Sequence, residues 1–365
     1  MTDSAPEFPH LNLRRWPFTI TPSDETAATW IGWPETHRRL RTILRSASRV
    51  PASQILLLWS GFGGGKTHAL KHLEVRARQE PDLLPLYVVI PEGIKSFLDI
   101  YRAIIEAAAD AGTLAAAGRD LFDRTKGNVD SDVETALIRA GMYQDDQARL
   151  AVSWLKAEKV ALREIKDIGI YRRLETAADG VDALNRLIQV LQRDGAVKVI
   201  LLMDEVQELE TLGRKQDEAL GGIHKVFDRN TSGLTVVLSF MTATQSALKG
   251  IIGETIMTRA SEVLTLKPLE RDEAVDFITE LLTEWSIDRD KAPAPFTPDA
   301  IEAVVDALDR ELSELSPRAV IKHFNVVLRE ADLDIADGEI SGIDSAYALG
   351  RLKIEREDAG ADTNN

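Results

Sequence analysis

The sequence contains no cysteine. Disulfides, zinc–thiolate sites and cysteine nucleophiles are thereby excluded, and the composition fits a reducing cytoplasm. No apolar run reaches the roughly 18 residues that a membrane-spanning helix needs. Met1-Thr2-Asp3-Ser4 begins the chain without the basic-then-apolar pattern of an export signal. Positive charge is scarce. Against 59 Asp and Glu stand 44 Lys and Arg, for a net charge of −15 at pH 7. So acidic a chain is a poor generic binder of nucleic acid. Any DNA contact would need a local basic surface, an oligomer that lines several up, or a partner protein.

Of the 365 residues, 44% are hydrophobic, enough for a sizeable core, and the length suggests two or three domains. The most informative stretch is Ser60-Gly61-Phe62-Gly63-Gly64-Gly65-Lys66-Thr67, which follows the apolar run Ile55-Leu56-Leu57-Leu58-Trp59 and precedes a helical pattern beginning near His68. A buried strand, a glycine-rich turn and a helix that starts on Lys-Thr form the context of a phosphate-binding P-loop. Glycines let successive backbone N–H groups converge on an anion without Cβ clashes. The helix N-terminus adds unpaired donors and the positive end of its dipole. Lys66 would reach the β- and γ-phosphates and the Thr67 hydroxyl would ligate Mg²⁺. Ser60 stands where the usual pattern has its first glycine.

A second run, Val197-Lys198-Val199-Ile200-Leu201-Leu202-Met203, ends in Asp204-Glu205. A buried strand with this acidic tip is a Walker B pattern. Asp204 would hold the Mg²⁺ shell and Glu205 would orient and deprotonate the attacking water. Further strands are expected at Leu84–Ile90, Leu234–Phe240 and Val263–Leu266. After the fourth strand, Thr244 is the candidate polar group for the γ-phosphate or the water, with Thr242 in reserve.

Leu11–Phe18 is an apolar-aromatic segment expected to pack on the core, after an unstructured start over Met1–Pro9. A helix through Leu40, Ile43 and Leu44 carries Arg38, Arg39, Arg41, Arg45 and Arg49, which read either as a solvated face or as a basic face for DNA or a neighbouring subunit. Phe97, Tyr101, Ile104, Ile105 and Ala108, and later Val181, Leu184, Leu187, Ile188 and Leu191, form apolar helical stripes that read as core. Thr297-Pro298 and Ser316-Pro317 are N-cap and first-turn proline pairs that open two helices. The tail from Asp358 is polar.

Five strands with intervening helices, followed by a helical domain, resemble an AAA+ ATPase of the initiator clade, which holds origin-recognition and helicase-loader ATPases and the transposition regulators. Trp30-Ile31-Gly32-Trp33-Pro34-Glu35 is similar to that clade's adenine-side box, in which Ile31 and Gly32 carry over and Trp33 replaces an arginine. Leu13–Phe18 with Pro22 resembles the Pro-Phe segment of the transposition-type members. The resemblance implies an α/β fold: a five-stranded parallel P-loop sheet flanked by helices, with a helical insertion and a C-terminal all-helical lid. Residues 1–50 would form the N-terminal segment and adenine-side helix. Residues 51–267 would be the nucleotide-binding core, with the insertion at about 97–196, then a lid at 268–334 and a tail at 335–365. It also implies that Thr244 lies near sensor 1, that Arg259 is an arginine finger for the next subunit's γ-phosphate, and that Arg318 is the sensor 2 arginine. The alternatives are a solvated surface arginine for Arg259 and a pair with Glu314 for Arg318.

The long span from Pro91 to Ala196, and Val206-Gln207-Glu208-Leu209 after the acidic pair, resemble the ATP-binding proteins of BREX-type phage defence. Initiators usually carry a winged-helix domain after the lid, for which Ile335–Asn365 is too short. The implied function is an Mg²⁺- and ATP-dependent oligomeric switch that remodels or licenses a DNA-bound assembly, in phage defence or mobile-element control. The competing class is a slow-turnover scaffold whose ATP-driven assembly recruits a partner effector protein. A peptide-threading role ranks lowest, because Pro91-Glu92-Gly93-Ile94 offers no aromatic-glycine pore loop.

Overall fold

A computed structural model describes residues 7–242 and 244–352. The first six of the residues read as unstructured, and the polar tail from Asp358, lie outside the described residues. The chain divides into two compact units, one drawn from Met1–Arg38, Gly61–Gly65 and Leu266–Asn365, the other from Arg39–Ser60 and Lys66–Thr265.

In the larger unit the apolar runs become five strands: β1 (Gln54–Ser60), β2 (Leu83–Val89), β3 (Lys198–Asp204), β4 (Leu234–Met241) and β5 (Ala260–Thr265). All pair in parallel, in the order β2-β3-β4-β1-β5. Central parallel strands are covered on both faces, which is why they read as unbroken apolar runs. Leu56, Leu57, Leu58, Ile200, Leu202, Val236 and Leu238 are each no more than 3% exposed. The fifth strand starts three residues earlier than its apolar run. It lies at the sheet edge, its register with β1 shifts between Ile55 and Leu56, and its first residues include the polar Ser261 and Glu262. An edge strand can leave polar residues to solvent, whereas a central one must give each a buried partner.

Six α-helices separate β2 from β3, namely Phe97–Asp110, Thr113–Thr125, Asp132–Met142, Asp146–Leu155, Leu162–Asp167 and Ala177–Leu191. Both apolar stripes expected there are buried. Helices Thr113–Thr125 and Asp132–Met142 touch backbone to backbone. A Cβ on Gly118 would lie 1.8 Å from the Leu137 carbonyl oxygen, and one on Gly141 would lie 2.6 Å from that of Ala115. Only glycine allows this approach. Trp154 is buried and donates its indole N–H to the Arg172 carbonyl at 2.7 Å.

The smaller unit is helical, with Arg271–Trp285, Pro298–Glu311, Pro317–Ala336 and Ser345–Arg351. Thr297 and Ser316 cap the second and third through Ala300 and Ala319, with proline in the first turn of each. Phe18, Phe296 and Phe324 meet at its centre, ring centroids 5.4 to 6.3 Å apart. The Leu11–Phe18 segment therefore belongs to this helical core and not to the sheet's core. Leu11, Leu13 and Phe18 are buried in it, Arg14 N–H bonds the Trp285 carbonyl at 2.8 Å, and Trp16 bonds Asn325 at 2.7 Å. A single layer of helices cannot bury both of its faces by itself, and the segment supplies a further wall.

Within the stretch read as a tail, Ile343 and Ala348 are buried and the Ile343 N–H bonds the Pro295 carbonyl at 2.8 Å.

Candidate functional site

In the larger unit, the parallel register sets the site. It places Ser60 opposite Met241 and Val89 opposite Asp204, so the C-terminal tips of four neighbouring strands face one region. Ligands bind at this end of open parallel sheets. Lys66 and Thr67 open the helix Lys66–Ala77 directly after the glycine run. Lys66 is buried, with Nζ 3.4 Å from Ser60 Oγ. The Thr67 hydroxyl donates to Asp204 Oδ2 at 2.8 Å. His68 is half-buried in the same first turn.

Asp204 is 1% exposed and accepts four hydrogen bonds. Tyr87 on β2 donates to Oδ2 at 3.1 Å, Ser239 on β4 donates to Oδ1 at 2.8 Å, and the Glu205 N–H donates to Oδ1 at 3.0 Å. Tyr87 and Ser239 were not among the residues singled out from the sequence. Each is a polar residue among apolar neighbours in its strand, a position that calls for a buried partner. Burial first, and then the Asp204 charge, push the Tyr87 hydroxyl far above its usual pKa, so it stays a donor.

Glu205 sits at φ 56°, left-handed and unusual for a side chain of this type. Its carboxylate accepts from the Gln207 amide, whose own oxygen accepts the Met241 N–H at 2.9 Å. Thr242 is buried beside this point, its N–H on the Ser60 carbonyl at 3.1 Å. Thr244 is exposed, and its hydroxyl caps the helix Gln245–Arg259 by accepting the Ala247 N–H at 3.1 Å. Of the two threonines, Thr242 is the one tied to the β1 tip. Arg259, the last residue of that helix, is paired with Asp228, which also contacts His224 Nδ1 at 3.1 Å. Among the described residues, no hydrogen bond of the Asp204–Glu205–Gln207 network includes Arg259.

In the smaller unit, Gly63 and Gly65 take φ of 71° and 87°, and the Gly64 N–H reaches the Gly61 carbonyl at 3.4 Å. A Cβ on Gly63 would stand 2.9 Å from both Arg318 Cβ and Ser316 Oγ. The Arg318 N–H bonds the Gly63 carbonyl at 3.3 Å, and its guanidinium lies 5.0 Å from the centre of the Phe62 ring. Glu314 instead approaches Gly61, its Oε1 3.3 Å from where a Cβ would be. Gly32, at φ 68°, gives its N–H to Glu280 at 3.0 Å, while half-buried Ile31 and Trp33 lie against the helical core.

The donor set fits a hard divalent ion. Mg²⁺ keeps several waters and takes one or two protein oxygens besides phosphate, and Thr67 with Asp204 supplies such a pair. Among the described residues there is no group of three or more His, Cys, Asp or Glu that could hold a metal without phosphate.

No protein-family model and no curated protein matches the sequence. Among solved structures, the fold is similar to the ORC1 protein of Aeropyrum pernix in complex with DNA. The TM-score is 0.51 and identity 15%, covering 92% of this chain and 68% of that one. The ORC2 protein of Aeropyrum pernix, in its ADPNP-ADP complexes, is similar at a TM-score of 0.55 and 14% identity, covering 91% of this chain and 73% of that one. Its ADP form gives 0.54 at 12% identity, covering 92% and 71%. At such identity the likeness is one of fold alone, a five-stranded parallel sheet flanked by helices.

Proposed function

We propose that this protein is an Mg²⁺-dependent ATPase that acts as an oligomeric switch on a DNA-bound assembly. The observation that carries the reading is the 2.8 Å bond between Thr67 and Asp204, with Glu205 as the next residue. Two oxygens so placed can share one divalent ion, and a carboxylate beside them can take a proton from water. The glycine run would receive the phosphates through its N–H groups, and Lys66 would add charge to the β- and γ-oxygens. Mg²⁺, when bound through Thr67 and Asp204, would neutralise charge on the β- and γ-phosphates. Arg318, against the loop, would sense the nucleotide in the same chain. Arg259 would enter a neighbour's site, which makes hydrolysis depend on assembly.

The DNA contact is carried by analogy with the DNA-bound ORC1 protein, whose fold this chain shares. The placement in phage defence or mobile-element control rests on the helical insertion and on Val206–Leu209. A slow-turnover scaffold that recruits a partner effector is the second reading. It is favoured by one observation: Arg259 is already neutralised by Asp228 in its own chain.

Steady-state ATP turnover with and without duplex DNA, beside the mass of the assembly, tests both readings. Glu205→Gln is expected to bind Mg·ATP, stop turnover and hold the oligomer. Arg259→Ala is expected to lose turnover while keeping ATP affinity. If Arg259→Ala hydrolyses normally, the trans finger is wrong. If the wild-type protein gives no turnover yet assembles with ATP, the scaffold reading replaces the enzyme.

A further inference from the structure

We propose that Gln207 is a positioning residue for Glu205, tying its carboxylate to the tip of β4. The role rests on the ATPase reading, in which Glu205 acts on the attacking water. Glu205 leaves β3 in a left-handed conformation, so its side chain departs from the strand direction and must be oriented by something beyond the strand itself. A glutamate has three rotatable bonds, and one hydrogen bond to a fixed donor removes most of that freedom.

The Gln207 amide is such a donor because its other end is anchored. Its oxygen accepts the Met241 N–H at 2.9 Å, and its nitrogen faces Glu205 Oε2. A flipped amide would set N–H against N–H and oxygen against carboxylate, so the orientation is decided by both partners. Met241 lies opposite Ser60 in the β1–β4 register, and the next residue, Thr242, bonds the Ser60 carbonyl. The chain of contacts thus runs from the residue before the glycine loop, through the β4 tip, to the general base. The bond uses Oε2 of Glu205, which leaves Oε1 able to accept from a water. A shift of the β4 tip would move the amide and the carboxylate together.

The test is the steady-state kinetics of Gln207→Glu and Gln207→Ala, with Mg·ATP affinity and thermal melting measured alongside. Gln207→Glu keeps the length and the acceptor for Met241 N–H but offers Glu205 an oxygen in place of a donor. Both variants are expected to lose ~10- to 100-fold in kcat, with KM within about twofold of wild type, because misplacing a catalytic group costs rate more than binding. A wild-type kcat for Gln207→Glu would overturn the proposal, since holding the β4 tip would then be the residue's whole role. A raised KM at unchanged kcat would also overturn it and assign Gln207 to nucleotide binding. Wild-type protein that turns over ATP no faster than Glu205→Gln would sink the ATPase reading itself, and this role with it.

Discussion

Asparagine and alanine at position 204 should part in stability while failing alike in turnover. Asp204 is a buried charge held by three hydroxyl donors, Thr67, Tyr87 and Ser239, and by the N–H of Glu205. Asparagine keeps one oxygen where Oδ1 accepts from Ser239 and the Glu205 N–H. Its amide nitrogen replaces Oδ2, and the Thr67 and Tyr87 hydroxyls can rotate to accept from it. All four contacts survive with two reversed, and a buried charge is removed, so stability should stay within about 1 kcal/mol of wild type. Alanine leaves the Glu205 N–H with no acceptor and no rotation open to it. An orphaned buried donor costs about 1–3 kcal/mol, and the three hydroxyls add to it, so a loss of about 2–4 kcal/mol is expected. In urea that is a fall in midpoint of about 1 M or more. Both variants should lose Mg²⁺-dependent turnover by ~100-fold or more, because neither offers the ion a carboxylate. Binding of ATP in the presence of a chelator should hardly change in Asp204→Asn. The reasoning fails if Asp204→Asn unfolds at lower urea than Asp204→Ala, or if it hydrolyses Mg·ATP as the wild type does.

Gly118→Ala should lower the stability of the larger unit by at least about 1–3 kcal/mol, since its Cβ would fall 1.8 Å from the Leu137 carbonyl. The folded fraction should hydrolyse ATP at the wild-type rate, and a variant that melts with wild-type protein would show that the two helices do not touch as described. Alkaline titration followed by tyrosine absorbance should find Tyr87, Tyr101 and Tyr347 ionising late. Burial is the largest cause in each, and the Tyr347 hydroxyl is pushed up to about 12. Folded pKa values above the unfolded value of about 10 stabilise the neutral form. Stability is therefore intact below about pH 10 and lost as pH rises through the folded values, and Tyr87→Phe should weaken that alkaline loss. An unchanged alkaline unfolding curve for Tyr87→Phe would contradict the assignment.

The glycine-rich turn before a helix and the acidic end of β3 were legible in the chain because their signals are local. A run of glycines between an apolar run and a Lys-Thr helix start is written in eight consecutive residues, and a covered parallel strand announces itself as unbroken Val, Ile and Leu. The helix caps Thr297 and Ser316 were equally readable, since a cap involves residues three apart. Tyr87, Ser239 and Gln207 were not. Tyr87 and Ser239 look like stray polar residues until strand order puts β2 and β4 on either side of β3 and brings them to Asp204, and Gln207, a near neighbour of Glu205, gains its anchor only when the end of β4 brings the Met241 N–H to it. The segment Leu11–Phe18 shows the same division. Its apolar and aromatic pattern specified that it would be buried, while the cavity it fills, beside Phe296 and Phe324, was decided by shape complementarity with residues nearly three hundred positions away. Period and composition determine what an element is, because they act through neighbours along the chain. Which polar atoms meet depends on register and packing between distant elements, and only the folded sheet supplies those.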